Sequence, residues 1–442
     1  MQKVTILGAG MAGFGAAHRL HKENVESVIY EKNLYHGGNA SSFSYVSGFI
    51  FDTGPHISFT GIKRLQEIFA ESVNQEYEII QARVNNYWQG YWIKHPAQCN
   101  LYGLPEKLVV DIIRDFVSVK HDGSKIINNY ADWLIASYGK TYAETFPMKY
   151  GLKFHTTASD NMSIDWLGPR MYQPTLEEVL HGALSPHTSD VHYVDYFRYP
   201  SHNGFVSYFN LFLKQTELKL GYALNNIDLE KQELRFSNGE TVPYGCLISS
   251  IPLPDLIPMI SGTPEDIMEA AQKLACSTCV LVNIGINRND ISDAHWTYFY
   301  DQDIFFTRLS FPHMLSRNNV PPGTGSIQAE VYFSNKYRPL DRKPEDCIQP
   351  VVSDLKKCGL IHSDDRILFS NAMVMPYANV IFDLERAEAL ATVHGYLDDI
   401  GIAYCGRYGE WDYIWTDQSF MSGEKAAQKI LDSTLSEKKT LN

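Results

Sequence analysis

The stretch that most limits what this chain can fold into is VTILGAGMAGFGAAHRL, Val4 to Leu20. It is an apolar strand that gives up side chains at Gly8, Gly10 and Gly13 and resumes as a helix. A strand that enters a helix through glycines opens its backbone to close approach. The free N–H groups of the helix N-terminus add partial positive charge there. In this strand-turn-helix context GAGMAG is the dinucleotide fingerprint. The first glycine makes the tight turn, the second admits a pyrophosphate to the backbone, and the third packs helix on strand. Met11 and Ala12 open the helix. Glu31 closes the next strand, ESVIYEK, with Lys32 beside it, where a carboxylate takes the two ribose hydroxyls of an adenosine.

Composition bounds what surrounds this unit. A chain of 442 residues exceeds one simple core, and 44% hydrophobic with 20% charged residues is an ordinary soluble balance. The formal charge of −13, with no basic run interleaved with aromatics, argues against nucleic acid as a partner. Anionic ligands must be met locally, by helix N-termini and single arginines. Seven unevenly spaced cysteines read as reduced thiols and a cytoplasmic location. Cys276 and Cys279 form a CxxC, but it runs straight into the strand VLVNIGI and reads as core. The strand beginning by residue 4 leaves no room for a signal peptide, and no apolar run reaches the roughly 20 residues of a membrane span. Peripheral membrane contact and the oligomeric state stay open.

Along the chain, residues 3–31 read as one βαβ unit, and 105–150 as helices opened by Pro105 and Glu106. The run SYFNLFLKQ reads as helical, LRFSNGETVPYG as a hairpin turning at Asn238-Gly239, and Thr263-Pro264-Glu265 as the cap of a further helix. YWQGYW, at 87–92, reads as a hairpin tip over a cleft. Strands dominate 276–335, and the chain ends in a final helix. The expected fold is α/β: a Rossmann-like FAD-binding domain of the glutathione-reductase type, interleaved with a helical insert and an antiparallel-sheet substrate domain. The expected boundaries are 1–65 with 205–270 and 390–442, then 66–204, then 271–389. SYGKT lacks the glycine of a P-loop, no GxSxG elbow occurs, and His187 and His192 lack metal-ligand spacing, so no metal site is expected.

Gly37-Gly38-Asn39-Ala40 follows the ribose acid and leads into SGFIFDTGPHISF, with His56. A second glycine pair allows a further close approach, beyond what a nicotinamide fold needs. Here, and again in GRYGEWDYIWTDQ from Gly406 to Gln418, the chain resembles the FAD-containing superfamily of amine oxidases, protoporphyrinogen oxidases, carotenoid desaturases and UDP-galactopyranose mutases. The resemblance implies FAD held along its length by both ends of the chain. Gly38, Asn39 and Ala40 would lie along it, Leu224 also counts among its contacts, and Gly406 and Arg407 would lie near the pyrophosphate. The last helix would point Asp417 and Gln418 at the flavin.

Within the superfamily the likeness is greatest to UDP-galactopyranose mutase-like proteins. Arg308 in DIFFTRLSFPHML, Arg170 in SIDWLGPRM and Tyr413 match mutase positions that grip a substrate diphosphate, for which bidentate guanidiniums are suited. The implied function is an FAD-dependent oxidoreductase acting on a sugar or nucleotide sugar of polysaccharide biosynthesis. The alternatives are a mutase-like isomerase using reduced flavin N5 as nucleophile, or a flavin oxidase or desaturase of an amine or apolar substrate. His56 reads as a base or flavin-side partner, or as a satisfied near-core histidine. Two departures stand out: Phe59 occupies the place of a second mutase histidine, and Tyr377-Ala378-Asn379-Val380 matches the mutase tyrosine segment poorly.

Overall fold

The computed structural model describes residues 3–121, 126–168, 171–189 and 191–440. Val4–Leu7 and Ser27–Glu31 are buried strands joined by the helix Met11–Lys22. They sit inside a parallel five-stranded sheet, in the order Ala403–Tyr404, Leu247–Ser249, Val4–Leu7, Ser27–Glu31, Glu217–Leu220. The strands are recruited from both ends and the middle of the chain. The first helix packs on the last, Thr416–Thr440, with no side chains between their backbones. A Cβ at Gly15 would lie 2.1 Å from the Phe420 carbonyl oxygen, and one at Gly423 would lie 1.9 Å from that of Ala12.

A seven-stranded sheet forms the second layer. Its order is Ile367–Val380, Cys276–Ile286, Gly325–Ser334, Arg308–Ser310, Trp296–Phe299, Val84–Trp88, Tyr91–Lys94. Cys276–Ile286 is an almost wholly buried run of small and β-branched residues, which suits a central strand. The cysteines of its CxxC lie in this core, and no disulfide forms among the described residues.

Helices Glu106–His121, Tyr130–Tyr138, Lys140–Thr145, Pro147–Phe154 and Leu176–Leu184 cluster beside this sheet. Asn129 caps the second, its Oδ1 accepting from the Asp132 N–H, and Thr175 with Glu178 closes a capping box on the last. Lys153 ties this layer to the sheet. Its buried ammonium donates to the carbonyls of Phe299, Asp301 and Phe306 at 3.4, 2.8 and 2.6 Å.

Several expectations need correction. The stretch 66–204, expected as a mainly helical insert, also carries strands: Tyr77–Gln81 pairs with Tyr196–Pro200, and the hairpin Val84–Trp88/Tyr91–Lys94 extends the large sheet. Val84–Trp88 runs parallel to Trp296–Phe299, so that sheet is not purely antiparallel. The long strand Ile367–Val380 is absent from the sequence reading. SYFNLFLKQ forms two 3₁₀ turns, because its large rings pack on every side rather than along one stripe. Thr263 is no cap. Its hydroxyl donates backwards to the Ile260 carbonyl, and the helix starts after Pro264.

Candidate functional site

The glycine turn divides its tasks as the sequence requires. Gly8 has φ +101°, and a Cβ there would strike Ser250 Oγ at 2.3 Å. At Gly13 a Cβ would lie 2.0 Å from the Gly8 carbonyl oxygen, so helix and turn meet through bare backbone. Gly10 differs: a Cβ built there meets no protein atom within 4 Å. The helix begins at Met11 with no side-chain cap and no acid in its first turn. An open glycine at an uncapped helix N-terminus fits the approach of a pyrophosphate.

Glu31 is buried, and its carboxylate also holds the turn. Oε2 accepts from the Ala9 N–H at 2.9 Å, and Oε1 accepts from the backbone and side-chain amides of Asn33 at 2.9 and 2.8 Å. The second glycine pair packs on the first turn. The Gly37 N–H donates to the Ala9 carbonyl at 2.8 Å, and a Cβ on Gly38 would lie 3.2 Å from Gly10 Cα. Asn39 Nδ2 donates to the Tyr377 carbonyl and the Tyr408 hydroxyl at 2.6 and 2.7 Å, joining this turn to the C-terminal motif. Ala40 is buried behind it. Gly406, at φ +78°, abuts Ala12, whose Cβ would be 2.8 Å from a Cβ placed there.

Arg407 clamps the segment before the last helix. Its Nε and Nη2 donate to the Ile414 carbonyl at 2.9 and 2.6 Å, and its guanidinium lies 5.1 Å from the centre of the Tyr413 ring. Asp417 stands in the first turn of that helix, and Gln418 Oε1 accepts from the Trp415 N–H at 2.8 Å. Lys32 is exposed, and Leu224 is packed in the core cluster that contains Leu7 and Tyr30. Arg170 lies outside the described residues.

The FD-x-G-x-H segment is pinned from below. Asp52 is buried and accepts from Ser42 Oγ, the Tyr199 hydroxyl and the Phe205 N–H at 2.6, 2.7 and 3.1 Å. Burial raises its pKa to about 6, against the pull of these donors. Gln328 donates to both the Asp52 carbonyl and Asn283 Oδ1 at 2.8 Å, fixing the turn on the large sheet. His56 Nδ1 faces the Gly54 carbonyl at 3.0 Å. A carbonyl can only accept, so Nδ1 carries the proton and Nε2 of the neutral ring is the acceptor. Burial, helped by the charges of Arg407 and Arg308, lowers the His56 pKa to about 4. His56, Arg308 and Arg407 therefore share one neighbourhood.

Arg308 faces Glu330 across neighbouring antiparallel strands and binds it bidentately, Nε to Oε2 at 2.9 Å and Nη2 to Oε1 at 2.7 Å. The Tyr332 hydroxyl adds a 2.6 Å bond to Oε2. Nη1 of Arg308 has no hydrogen-bond partner among the described residues, and its side chain keeps 23% exposure. The phenols of Tyr150 and Tyr298 feel its charge, although burial dominates and raises both pKa values.

Aromatic rings link these neighbours into a closed circuit. One arc runs from Tyr413 to Trp166, His155, Phe154 and Tyr150, with centroids 6.3, 5.2, 4.9 and 5.4 Å apart in turn. The other continues from Tyr150 to Tyr298, His95, His192, Tyr193 and Trp415, at 5.4, 5.1, 5.0, 4.5 and 5.8 Å. Trp415 and Tyr413 belong to the one segment that Arg407 clamps, so the circuit returns to its start. Glu330, Tyr150, Tyr298 and Trp166 were not singled out from sequence. Only Glu330, an acid within the apolar run SIQAEVYF, carried a signal. The YWQGYW hairpin lies elsewhere: Trp88 and Gln89 line a separate cavity of about 1000 Å³ with Met148 and Leu152.

Comparison with known proteins agrees with the fold. Residues 6–72 match the family of NAD(P)-binding Rossmann-like domains. The structure is similar to that of reduced UDP-galactopyranose mutase, with a TM-score of 0.91 and 25% identity over 98% of this chain and 96% of that one. A protoporphyrinogen-oxidase-like protein from Exiguobacterium sp. 255-15 shares the fold at TM-score 0.73 and 15% identity, over 97% and 98% of the two chains. A 1-hydroxycarotenoid 3,4-desaturase of Flavobacterium sp. (strain P99-3) is 29% identical over 132 residues, which is 28% of this chain and 26% of that protein. No helix among the described residues is long and apolar enough to cross a membrane. The chain is an enzyme with a Rossmann-like domain and the fold shared by UDP-galactopyranose mutase and the protoporphyrinogen-oxidase-like proteins, and it resembles the flavin-type oxidoreductases.

Proposed function

We propose that this enzyme binds FAD and acts on a nucleotide-linked sugar, in polysaccharide biosynthesis in the cytoplasm. The observation that carries the reading is Arg308. A guanidinium locked by Glu330, with its remaining edge unengaged and phenols around it, is a fixed cationic grip suited to a diphosphate. The likeness to UDP-galactopyranose mutase over almost the whole chain supports the same substrate class.

In this reading Gly10 and the N–H groups opened by Met11 receive the FAD pyrophosphate, and Glu31 receives the adenosine ribose. FAD supplies a ring that accepts hydride when oxidised and is nucleophilic when reduced. His56 is neutral at pH 7, keeps its proton on Nδ1 against Gly54 and presents Nε2 as an acceptor. Arg308 and Tyr413 bind the substrate diphosphate, with Arg170 as a second arginine on the grounds of sequence. Arg407 sets the position of Tyr413.

The test is spectroscopic. Purified protein should be yellow, and the oxidised and dithionite-reduced forms are titrated with UDP- and dTDP-sugars. A spectral response only in the reduced form indicates mutase-like chemistry. Bleaching of the oxidised form by substrate indicates net oxidation. Colourless protein that does not take up FAD overturns the reading. A second reading, oxidation or desaturation of an apolar substrate, is favoured by the contact of Phe59 with Trp415 beside the clamp and by the carotenoid desaturase relative.

A further inference from the structure

Away from Arg308, the helical layer and the edge of the large sheet form a second cavity between them, of about 1000 Å³. Its apolar lining includes Trp88, Ile135, Met148, Leu152 and Tyr300. Small molecules bind in pockets of this size, largely apolar with a few placed polar groups. Met148 and Leu152 stand one turn apart on the helix Pro147–Phe154. Tyr150 and Phe154 of the same helix meet the rings of Tyr298 and Tyr332, beside Arg308 and Glu330, at 5.4 and 4.7 Å. One helix thus stands between the two sites. The cavity walls are also fastened to one another. The Asp301 carboxylate accepts from the Gln89 N–H at 3.0 and 3.2 Å. Gln302 Nε2 donates to the carbonyls of Lys149 and Tyr300 at 3.0 and 3.2 Å. A ligand meets a surface already in place, with little ordering to oppose its binding.

The charges around the cavity decide the sign of that ligand. Four carboxylates, of Glu144, Asp160, Asp301 and Asp303, line it with one lysine, Lys149. Two of the acids have cations outside the lining: Lys140 lies 3.8 Å from Glu144 and Lys357 lies 2.6 Å from Asp303. Asp160 has no ion pair among the described residues, and the half-buried Asp301 carboxylate takes only the Gln89 N–H from a neighbour. Lys153, behind the same loop, spends its ammonium on main-chain carbonyls. Lys149 is exposed, so water and salt screen its charge more than that of Asp301. Ser159, in the wall next to Asp160, is 6% exposed, and its hydroxyl has no partner among the described residues. Such a hydroxyl is an acceptor in want of a donor.

We propose that this cavity is a second ligand site, which takes a small organic amine with its ammonium on Asp301 and its apolar body against Trp88, Tyr300 and Met148. Asp301 follows Tyr300 in the chain and holds the residue after Trp88, so the carboxylate stands beside two aromatic side chains. Aromatic rings and a carboxylate together favour an ammonium over a neutral group of the same size. Burial raises the pKa of Asp301, so a bound cation also relieves a carboxylate short of solvent. The site goes beyond the nucleotide-sugar reading and does not depend on it.

The full-length protein as purified is titrated by calorimetry with tryptamine, and with tryptophol, in which a hydroxyl replaces the ammonium. Tryptamine should bind about tenfold more tightly. Asp301→Asn should erase that difference by weakening tryptamine alone, since asparagine keeps an acceptor for the Gln89 N–H. Met148→Trp, which fills the cavity, should weaken both ligands alike. Thermal melting establishes that each variant is folded. No binding of tryptamine, equal affinity for amine and alcohol, or tryptamine binding that neither substitution alters overturns the proposal. UDP should bind both variants as it binds the parent. Absence of UDP binding throughout strikes the nucleotide-sugar reading and leaves the amine site standing.

Discussion

Arg308 and Glu330 stand directly opposite one another on adjacent antiparallel strands and share two parallel hydrogen bonds of 2.9 and 2.7 Å. The carboxylate side chain is 2% exposed, so it has no recourse to water if its partner is lost. Removing one member of such a pair costs about 3–5 kcal/mol. Glu330→Ala should lower unfolding stability by about that amount in a denaturant titration. Arg308→Ala should in addition weaken binding of UDP or dTDP by about 30-fold or more, read by calorimetry on folded protein. Unchanged nucleotide affinity would remove Arg308 from the binding site.

Gly10 and Gly13 should fail in opposite ways. A methyl on Gly10 enters open space at an ordinary φ of −86°, so Gly10→Ala should leave the melting point of cofactor-free protein unchanged and reduce FAD uptake. A methyl on Gly13 collides with the Gly8 carbonyl, so Gly13→Ala should destabilise the protein itself by about 1–3 kcal/mol. The flavin-to-protein absorbance ratio and the melting point of the stripped protein separate the two outcomes.

Asp52 gives a pH signature. Its folded pKa, about 6, lies above the ordinary 3.8. The native state therefore binds more protons between these values, and stability falls as pH rises from about 4 to 6. The contribution amounts to roughly 3 kcal/mol. His56 acts oppositely: its pKa is lowered from 6.5 to about 4, so its contribution is present above 6.5 and is lost as pH falls through that window. The two slopes offset each other in the parent protein. Asp52→Asn should expose a steeper loss of stability on acidification, measured by urea unfolding at several pH values.

Lys153 is a structural strut with a testable cost. It is buried, and desolvation lowers its pKa to about 7. Lys153→Met keeps the length of the side chain and leaves the carbonyls of Phe299, Asp301 and Phe306 without their donor. The expected loss is about 2–4 kcal/mol, and Tyr150, on the same helix, should show altered near-ultraviolet dichroism.

The parts legible in the sequence were those written in local chemistry. The Gly8–Gly13 turn, Glu31 and the closing GRYGEWDY segment each need particular residues at fixed spacing, so the nucleotide layer could be read from both ends of the chain. The hairpin at Val84–Lys94 was recognised as a hairpin but not as part of the large sheet, because its partner strand begins at Trp296 and no local signal encodes that pairing. Ile367–Val380 alternates poorly, being half-buried along much of its length, and so hid as a strand. The ring circuit was illegible for the same reason. Tyr150 and Tyr298 look like ordinary core aromatics until tertiary structure brings them around Arg308. Glu31 and Arg407 are expected from the sequence as cofactor positions, yet their bonds to Ala9 and Ile414, which hold the local backbone in shape, depend on the fold.

The glycine-to-backbone contact between the first helix and the last also sets an order of events during synthesis. Phe14 and Ala17 on the first helix share a buried cluster with Phe420 and Ala427 on the last, so the helix that opens the nucleotide turn lacks part of its apolar cover until the segment from Thr416 has emerged from the ribosome. The βαβ unit at residues 4–31 is thus completed only after the segment from Thr416 has been made. Until then Phe14 and Ala17 keep the cover that Phe209 and Phe212 provide.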